Sequence, residues 1–353
     1  MKKVIIFFLL ICNIMIISCT SSSKEKYDDV KETVEKEKLH DFQLKIAENI
    51  VNNYFLFLLN ENYDKVNELY TTDIKVDDIG KNDSDLKLRG YSIYEMNEVG
   101  KTAEFQVKVS YNDTSNSLAM ANEFKIKVIK EEGLYRISEV NEIPHREIFL
   151  ENNTIRLRDE NSVKSYLVID DSGIPKYISH DEKGKKYDKK ENNIKNYKSL
   201  NINYNGDKIC FSKEDENCYL AMLDINEVML IEKEKEEFSA KELPIGENIV
   251  TLDYTKDANV RFSVFSEDNR FIAVQFIDKG LKRVKIFNSS NGEEIPVELE
   301  EKLNLKEVDI SFKSFHKGMV NLEVLPADMK NLNKSNLFGL WKLELETSKF
   351  HKI

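Results

Sequence analysis

Few residues in this sequence are spaced for chemistry. The five histidines are scattered, which leaves a metal cluster without a ligand set. No G-x-S-x-G, P-loop, H-E-x-x-H or G-x-G-x-x-G run occurs, so serine, nucleotide and zinc sites lack their usual spacing. His40 and His145 flank a region of helix and strand and are expected at the surface. Asp215-Glu216-Asn217 and Glu267-Asp268-Asn269 read as turns, since neither meets the twelve-residue calcium loop. Tyr54, Tyr91, Tyr94 and Tyr111 are the candidates for a small-ligand pocket, with rings for walls and hydroxyls for partners; core tyrosines are the simpler reading. Of the four cysteines, Cys210 and Cys218 flank one turn, and their even spacing puts both on one face of a hairpin. If Phe211 lies opposite Tyr219, they are diagonal neighbours and a candidate disulfide, although two small core residues would explain them equally well. No catalytic residue, metal or cofactor is assigned.

Cys19 stands in a different context. Lys2 and Lys3 precede a 14-residue run, Val4 to Ile17, that is apolar except for Cys12 and Asn13. This is shorter than the roughly 20 residues of a spanning helix and fits a secretory signal. Its end, Ile16-Ile17-Ser18-Cys19, resembles the bacterial lipobox. The resemblance implies that residues 1–18 are removed, that the Cys19 thiol receives diacylglycerol, and that the acylated protein sits on the extracytoplasmic face of the cell membrane. Two acyl chains suffice for stable anchoring.

Loss of residues 1–18 removes two lysines and no acids, taking the formal charge from −11 to −13. Such a balance opposes nucleic acid and gives no help in docking on anionic lipid. Residues 19–39 read as a solvated tether, three serines followed by mixed charges with too few apolar residues to bury a face.

From Asp41 the elements become legible. Phe42, Ile46, Ile50, Tyr54 and Leu58 recur every four residues, a stripe wide enough for a core-facing helix. Asn60 and Asn62 end it, and Tyr63 to Tyr70 reads as a second short helix. Phe105 to Tyr111 and Phe124 to Val128 then alternate with period two, and Glu131-Glu132-Gly133 turns the chain into a strand over Leu134–Val140. Helices followed by antiparallel strands predict an α+β cone. The run FKIKVIKEEGLYRISEV, Phe124 to Val140, resembles the closing hairpin of nuclear-transport-factor-2-like (NTF2-like) domains of bacterial lipoproteins, with Leu134-Tyr135-Arg136-Ile137 where Trp-Lys-Ile is commoner. Catalytic relatives such as ketosteroid isomerases hold an acid or base inside the cone; the inward positions read here carry Phe, Val, Ile and Tyr.

The second half is strand-rich and faintly repetitive. FSKEDENCYLAML begins at Phe211 and FSEDNRFIAVQF at Phe265, a spacing of 54, with a weaker copy around Phe312. Each copy resembles the Phe-Ser-Pro-Asp-Gly hairpin of TolB-like and WD40-like propellers, and Val284 to Glu293 and Leu340 to Thr347 resemble blade-ending strands. Periods near 40–50 suggest propeller blades. An open array of β-meanders or a degenerate sandwich competes with a closed ring. A lysine-rich loop, Asp181 to Lys198, is the one local positive patch.

The expected organisation is therefore signal peptide (1–18), tether (19–39), NTF2-like α+β cone (40–148), a linker over Pro144 to Asn153, and an all-β, propeller-like repeat domain (152–353). The expected function is a non-catalytic binding or scaffold lipoprotein, held on the bilayer through Cys19 with an envelope protein, peptide or glycan as partner. The alternative is a cone-pocket isomerase or propeller hydrolase.

Overall fold

The computed structural model describes residues 42–72, 85–159, 162–178, 190–191, 194, 196–235, 242–296, 303–328 and 337–353. The signal peptide, Cys19, the tether, His40 and most of the lysine-rich loop lie outside them. Helix α1 (Leu44–Leu59) buries Ala47, Val51, Tyr54 and Phe55. It ends at Asn60, and the Asn62 side chain accepts the Lys65 N–H to start α2 (Tyr63–Asn67).

The chain then builds four antiparallel meanders. The first is six-stranded: β1 (Leu86–Val99), β2 (Thr102–Asp113), β3 (Leu118–Glu131), β4 (Leu134–Glu151), β5 (Thr154–Asp159) and β6 (Tyr166–Ile169), paired in chain order. After a two-stranded ribbon, β7 (Tyr177–Ile178) with β8 (Lys190–Glu191), the second sheet contains β9 (Tyr197–Ile202), β10 (Lys208–Glu214), β11 (Asn217–Ile225) and β12 (Gly246–Lys256). A helix, α3 (Glu227–Lys235), joins its last two strands. The third sheet holds β13 (Ala258–Phe265), β14 (Phe271–Asp278) and β15 (Leu281–Asn288). The fourth holds β16 (Val308–His316), β17 (Met319–Pro326), β18 (Gly339–Glu344) and β19 (Lys349–Lys352). The protein is thus mostly β, and its consecutive meanders resemble propeller blades.

The expected linker is corrected. Pro144 to Glu151 belong to β4, which pairs with β3 as far as Phe149, and Asn152–Asn153 form the tight turn into β5 with positive φ at both residues. His145 accordingly lies within a strand, not beyond the last one. The first sheet also shares a core with the second half. On its α1 face, Phe105, Val107, Val109, Phe124, Ile126 and Val128 pack under the helix. On the other face, Asn112, Ala119, Ile148, Leu157 and Tyr166 stand side by side across β2 to β6. All of these but Asn112 belong to one cluster with Leu200, Ile202 and Phe211 of the second sheet. The small alanines let β9 approach closely.

That approach leaves the edge of β9 needing partners, because unpaired strand edges template association. Along this edge the carbonyls of alternate residues are met by side chains of the first sheet. Ser117 Oγ donates to Lys198 (3.0 Å), Asn112 Nδ2 to Leu200 (2.5 Å), and the Ser110 hydroxyl lies 3.1 Å from the Ile202 carbonyl and 2.8 Å from Asn201 Oδ1. The edges of β13 and β16 are treated alike. Glu214 Oε1 accepts the Val260 N–H at 2.8 Å, and the Asn201 amide donates to the Ser263 carbonyl. Arg283 donates to the Val308 carbonyl at 2.9 Å, beside contacts from Gln275.

The repeat in the second half lies in a different frame from the one the phenylalanines suggested. Phe211 is in the second strand of its sheet, whereas Phe265 and Phe312 are in the first strands of theirs. The turns that match are those after β9 and β13. At Asn203, the N–H donates to the Lys208 carbonyl, the carbonyl accepts from Gly206, and Oδ1 accepts from Lys208. At Ser266, the N–H donates to Phe271, the carbonyl accepts from Asn269, and Oγ accepts from the Phe271 N–H. Gly206 and Asn269 both take positive φ, 77° and 57°. Leu340 to Thr347 is followed by a further strand, β19, so it does not end its sheet.

Candidate functional site

The four tyrosines separate. Tyr54 is buried under α1, with the Tyr70 hydroxyl 3.1 Å from its own, and burial pushes its phenol well up. Tyr91 is buried too, stacks on Phe55 at 4.8 Å and donates to Asn52 Oδ1 at 2.9 Å. Tyr94 is exposed on β1, donating to Gln106 Oε1. Tyr111 packs at the margin of the α1 core and hydrogen-bonds Glu142; burial first, then that carboxylate, raises its pKa. They line neither of the two clefts described below, and Tyr54 and Tyr91 are core residues.

Cys210 and Cys218 share a face and an apolar cluster, but both are free thiols. The register corrects the disulfide. Phe211 pairs with Ala221, Cys210 with Met222, and Cys218 with Glu214. The turn occupies Asp215 to Asn217, where Asp215 Oδ1 accepts the Asn217 N–H. Cys218 therefore follows the turn at once, leaving Cys210 four rungs away, roughly 13 Å at about 3.3 Å per residue. A bridge needs Cα atoms within about 7 Å.

Two clefts bear side chains suited to binding. The larger, about 500 Å³, opens between the β13–β14 turn and the two hairpin ends of the fourth sheet. Phe271, Phe315 and Met319 line it together with Glu267, Asp268, Arg270, Lys317, Glu344 and Glu346. Its charges are largely engaged: Arg270 binds Asp268 at 2.5 Å and reaches Glu346 at 3.6 Å, and Lys317 reaches Glu48 of α1 at 3.5 Å.

The smaller cleft, about 190 Å³, lies on β3 to β5. Met120, Asn122, Pro144, Glu147 and Arg158 line it, with His145, Arg146, Asp159 and Ser162. Asn122 is 6% exposed, on the same face as Phe124 and Ile126. Its Nδ2 donates to Glu142 Oε1 at 2.7 Å, which fixes the amide orientation, and its buried Oδ1 has no partner. Such an acceptor is costly to leave unmade. Ser162, His145 and Asp159 form no relay there: Ser162 Oγ donates to the Lys164 carbonyl, and Asp159 accepts from Arg146 Nε at 2.6 Å. Arg146 also holds Glu227 at 2.6 Å and the Gly206 carbonyl at 2.8 Å, so it ties the first sheet to the second. Among the described residues, no group of three or more His, Cys, Asp and Glu side chains is placed to hold a metal.

The sequence reading missed Asn122. Leu118 to Glu123 carries two alanines and a methionine in a pattern with no clear period of two, so the strand was expected to begin only at Phe124. A polar residue two positions before Phe124, in phase with Ile126 and Val128, was the signal available.

No protein-family model and no curated protein matches the chain. Among solved structures, a nidogen/laminin complex aligns with TM-score 0.32 and 10% identity over 76% of this chain and 79% of that one. A prolyl endopeptidase aligns with TM-score 0.27 and 11% identity over 74% of this chain, which spans 42% of that one. The β-propeller domain of Myceliophteria thermophila Cps50 (Swd1) aligns with TM-score 0.24 and 9% identity over 74% and 98%. The similarity is a distant one to β-propeller domains. At these TM-scores it says nothing about activity.

Proposed function

We propose that the protein is an extracytoplasmic lipoprotein, anchored in the cell membrane through acylated Cys19, whose folded part binds an envelope partner without catalysing a reaction on it. The carrying observation is the order Lys2-Lys3, the apolar run Val4–Ile17, and Ile16-Ile17-Ser18-Cys19. In this reading the helix-covered first sheet is an NTF2-like cone and the later sheets are propeller-like. Support for binding comes from two clefts with apolar walls and hydrogen-bonding rims. No helix among the described residues is long and apolar enough to cross a membrane, so in this reading the lipid supplies the attachment.

Cys19→Ala tests the anchor. The variant should leave the membrane fraction or accumulate with residues 1–18 uncleaved. A variant that fractionates and migrates like the parent overturns the reading.

A further inference from the structure

We propose that the Asn122 cleft binds a neutral, polyhydroxylated ligand the size of one sugar ring. This deepens the binding reading above by naming a ligand class, and it does not depend on the anchor. Asn122 sits at the floor of the cleft with Nδ2 committed to Glu142 and Oδ1 buried and unpaired. A partner for that oxygen has to bring a hydrogen to donate. The cleft that Asn122 lines is where such a donor can be seated.

The walls narrow the class. Glu147 is held by Arg158 and Asp159 by Arg146, so most of the cleft's charge is already cancelled in pairs. An ammonium ligand would find both lining carboxylates, Glu147 and Asp159, already held by arginines. A phosphate or carboxylate would bring a second acceptor to an acceptor. Hydroxyl groups both donate and accept, which suits Asn122 Oδ1 beside an ion pair with free lone pairs and N–H groups. Met120 and Pro144 supply the apolar wall that the C–H face of a ring needs, and about 190 Å³ admits one ring rather than an extended chain.

The test uses the full chain in detergent micelles, with glucose, galactose and N-acetylglucosamine as probes and ethanolamine and inorganic phosphate as controls. Saturation-transfer NMR and calorimetry should show at least one sugar binding, with affinity falling about tenfold or more in Asn122→Leu, the size expected for one lost buried hydrogen bond. Met120→Trp, which fills the cleft from a half-buried wall position, should abolish binding and decides the matter if Asn122→Leu fails to fold. The proposal is overturned if no sugar binds, if either variant, once shown to be folded, binds like the parent, or if ethanolamine or phosphate binds more tightly than any sugar. Sugar binding by a chain whose Cys19→Ala form stays on the membrane would sink the anchor alone and leave the cleft assignment standing.

Discussion

Gln275 meets the backbone at Phe312 as a neighbouring strand would: its Oε1 accepts the Phe312 N–H at 2.8 Å, and its Nε2 donates to the carbonyl of Ile310 at 3.0 Å. A side-chain amide thus stands in for a peptide group at the edge of β16, and burial of Gln275 makes the contact exclusive of water. Gln275→Glu keeps the size but loses the donor, and sets a carboxylate against a buried carbonyl. It should lower stability by about 1–3 kcal/mol, read as a fall in the denaturant midpoint. A midpoint unchanged from the parent would show that this edge does not need its cap.

Gly90 of β1 has room for no side chain. A Cβ there would lie 2.2 Å from the Tyr204 hydroxyl and 3.2 Å from Val264 Cγ1. Gly90→Ala should therefore cost about 1–3 kcal/mol through overpacking. Tyr204→Phe removes the clashing oxygen, at the expense of its hydrogen bond to the Phe265 carbonyl. In a double-mutant cycle the pair should cost less than the sum of the singles. Strict additivity would place the strain elsewhere.

The two thiols should be silent in the folded protein. Burial raises the Cys210 thiol from an ordinary 9.0 to about 12, and burial raises that of Cys218 as well. Alkylation without reductant should label neither under native conditions and both after denaturation. Failure of the denatured chain to take two labels on Cys210 and Cys218 would revive the disulfide.

The same shift fixes a pH dependence. Below about pH 9 the thiol is protonated in both folded and unfolded chains and contributes no slope. Between 9.0 and about 12 the unfolded chain ionises while the folded one does not, so stability falls as pH rises through that window. The raised phenols of Tyr54 and Tyr111 add in the same direction. Chemical denaturation at pH 8 and pH 10.5 should show lower stability at the higher pH. Equal values would contradict the burial of these groups.

Limited proteolysis should not divide the chain at residues 144–153. That stretch is strand β4 and a two-residue turn, hydrogen-bonded on both sides. Release of two stable pieces parted there would be incompatible with a sheet that serves both cores.

How much of this was legible in the sequence varied with the physics involved. The α1 stripe and the alternation at Phe105 to Tyr111 could be read because burial on one face imposes a period. The continuation of β4 through Pro144 could not. A proline and two asparagines look like a boundary, yet Pro144 sits at a register shift against Asn122, and the asparagines make a hairpin turn. The cysteine pair failed for a related reason: parity survives any even slip, but distance depends on where the turn falls, and local sequence sets that only weakly. Ser110, Asn112, Glu214 and Gln275 looked like ordinary strand polar residues. Their roles depend on partners 35 to 92 residues away, which no local pattern encodes.

The capping scheme has a direction. Ser110, Asn112 and Ser117 serve β9; Asn201 and Glu214 serve β13; Gln275 and Arg283 serve β16. For these three leading edges the giver precedes the receiver in the chain, whereas Leu167 of β6 and Lys282 of β15 donate to the later Glu242 and Asp309. A polypeptide emerging amino end first would thus carry each of these leading-edge caps before the edge that needs it has been made. The order of synthesis is also an order of protection, with every new sheet arriving at a seat already prepared.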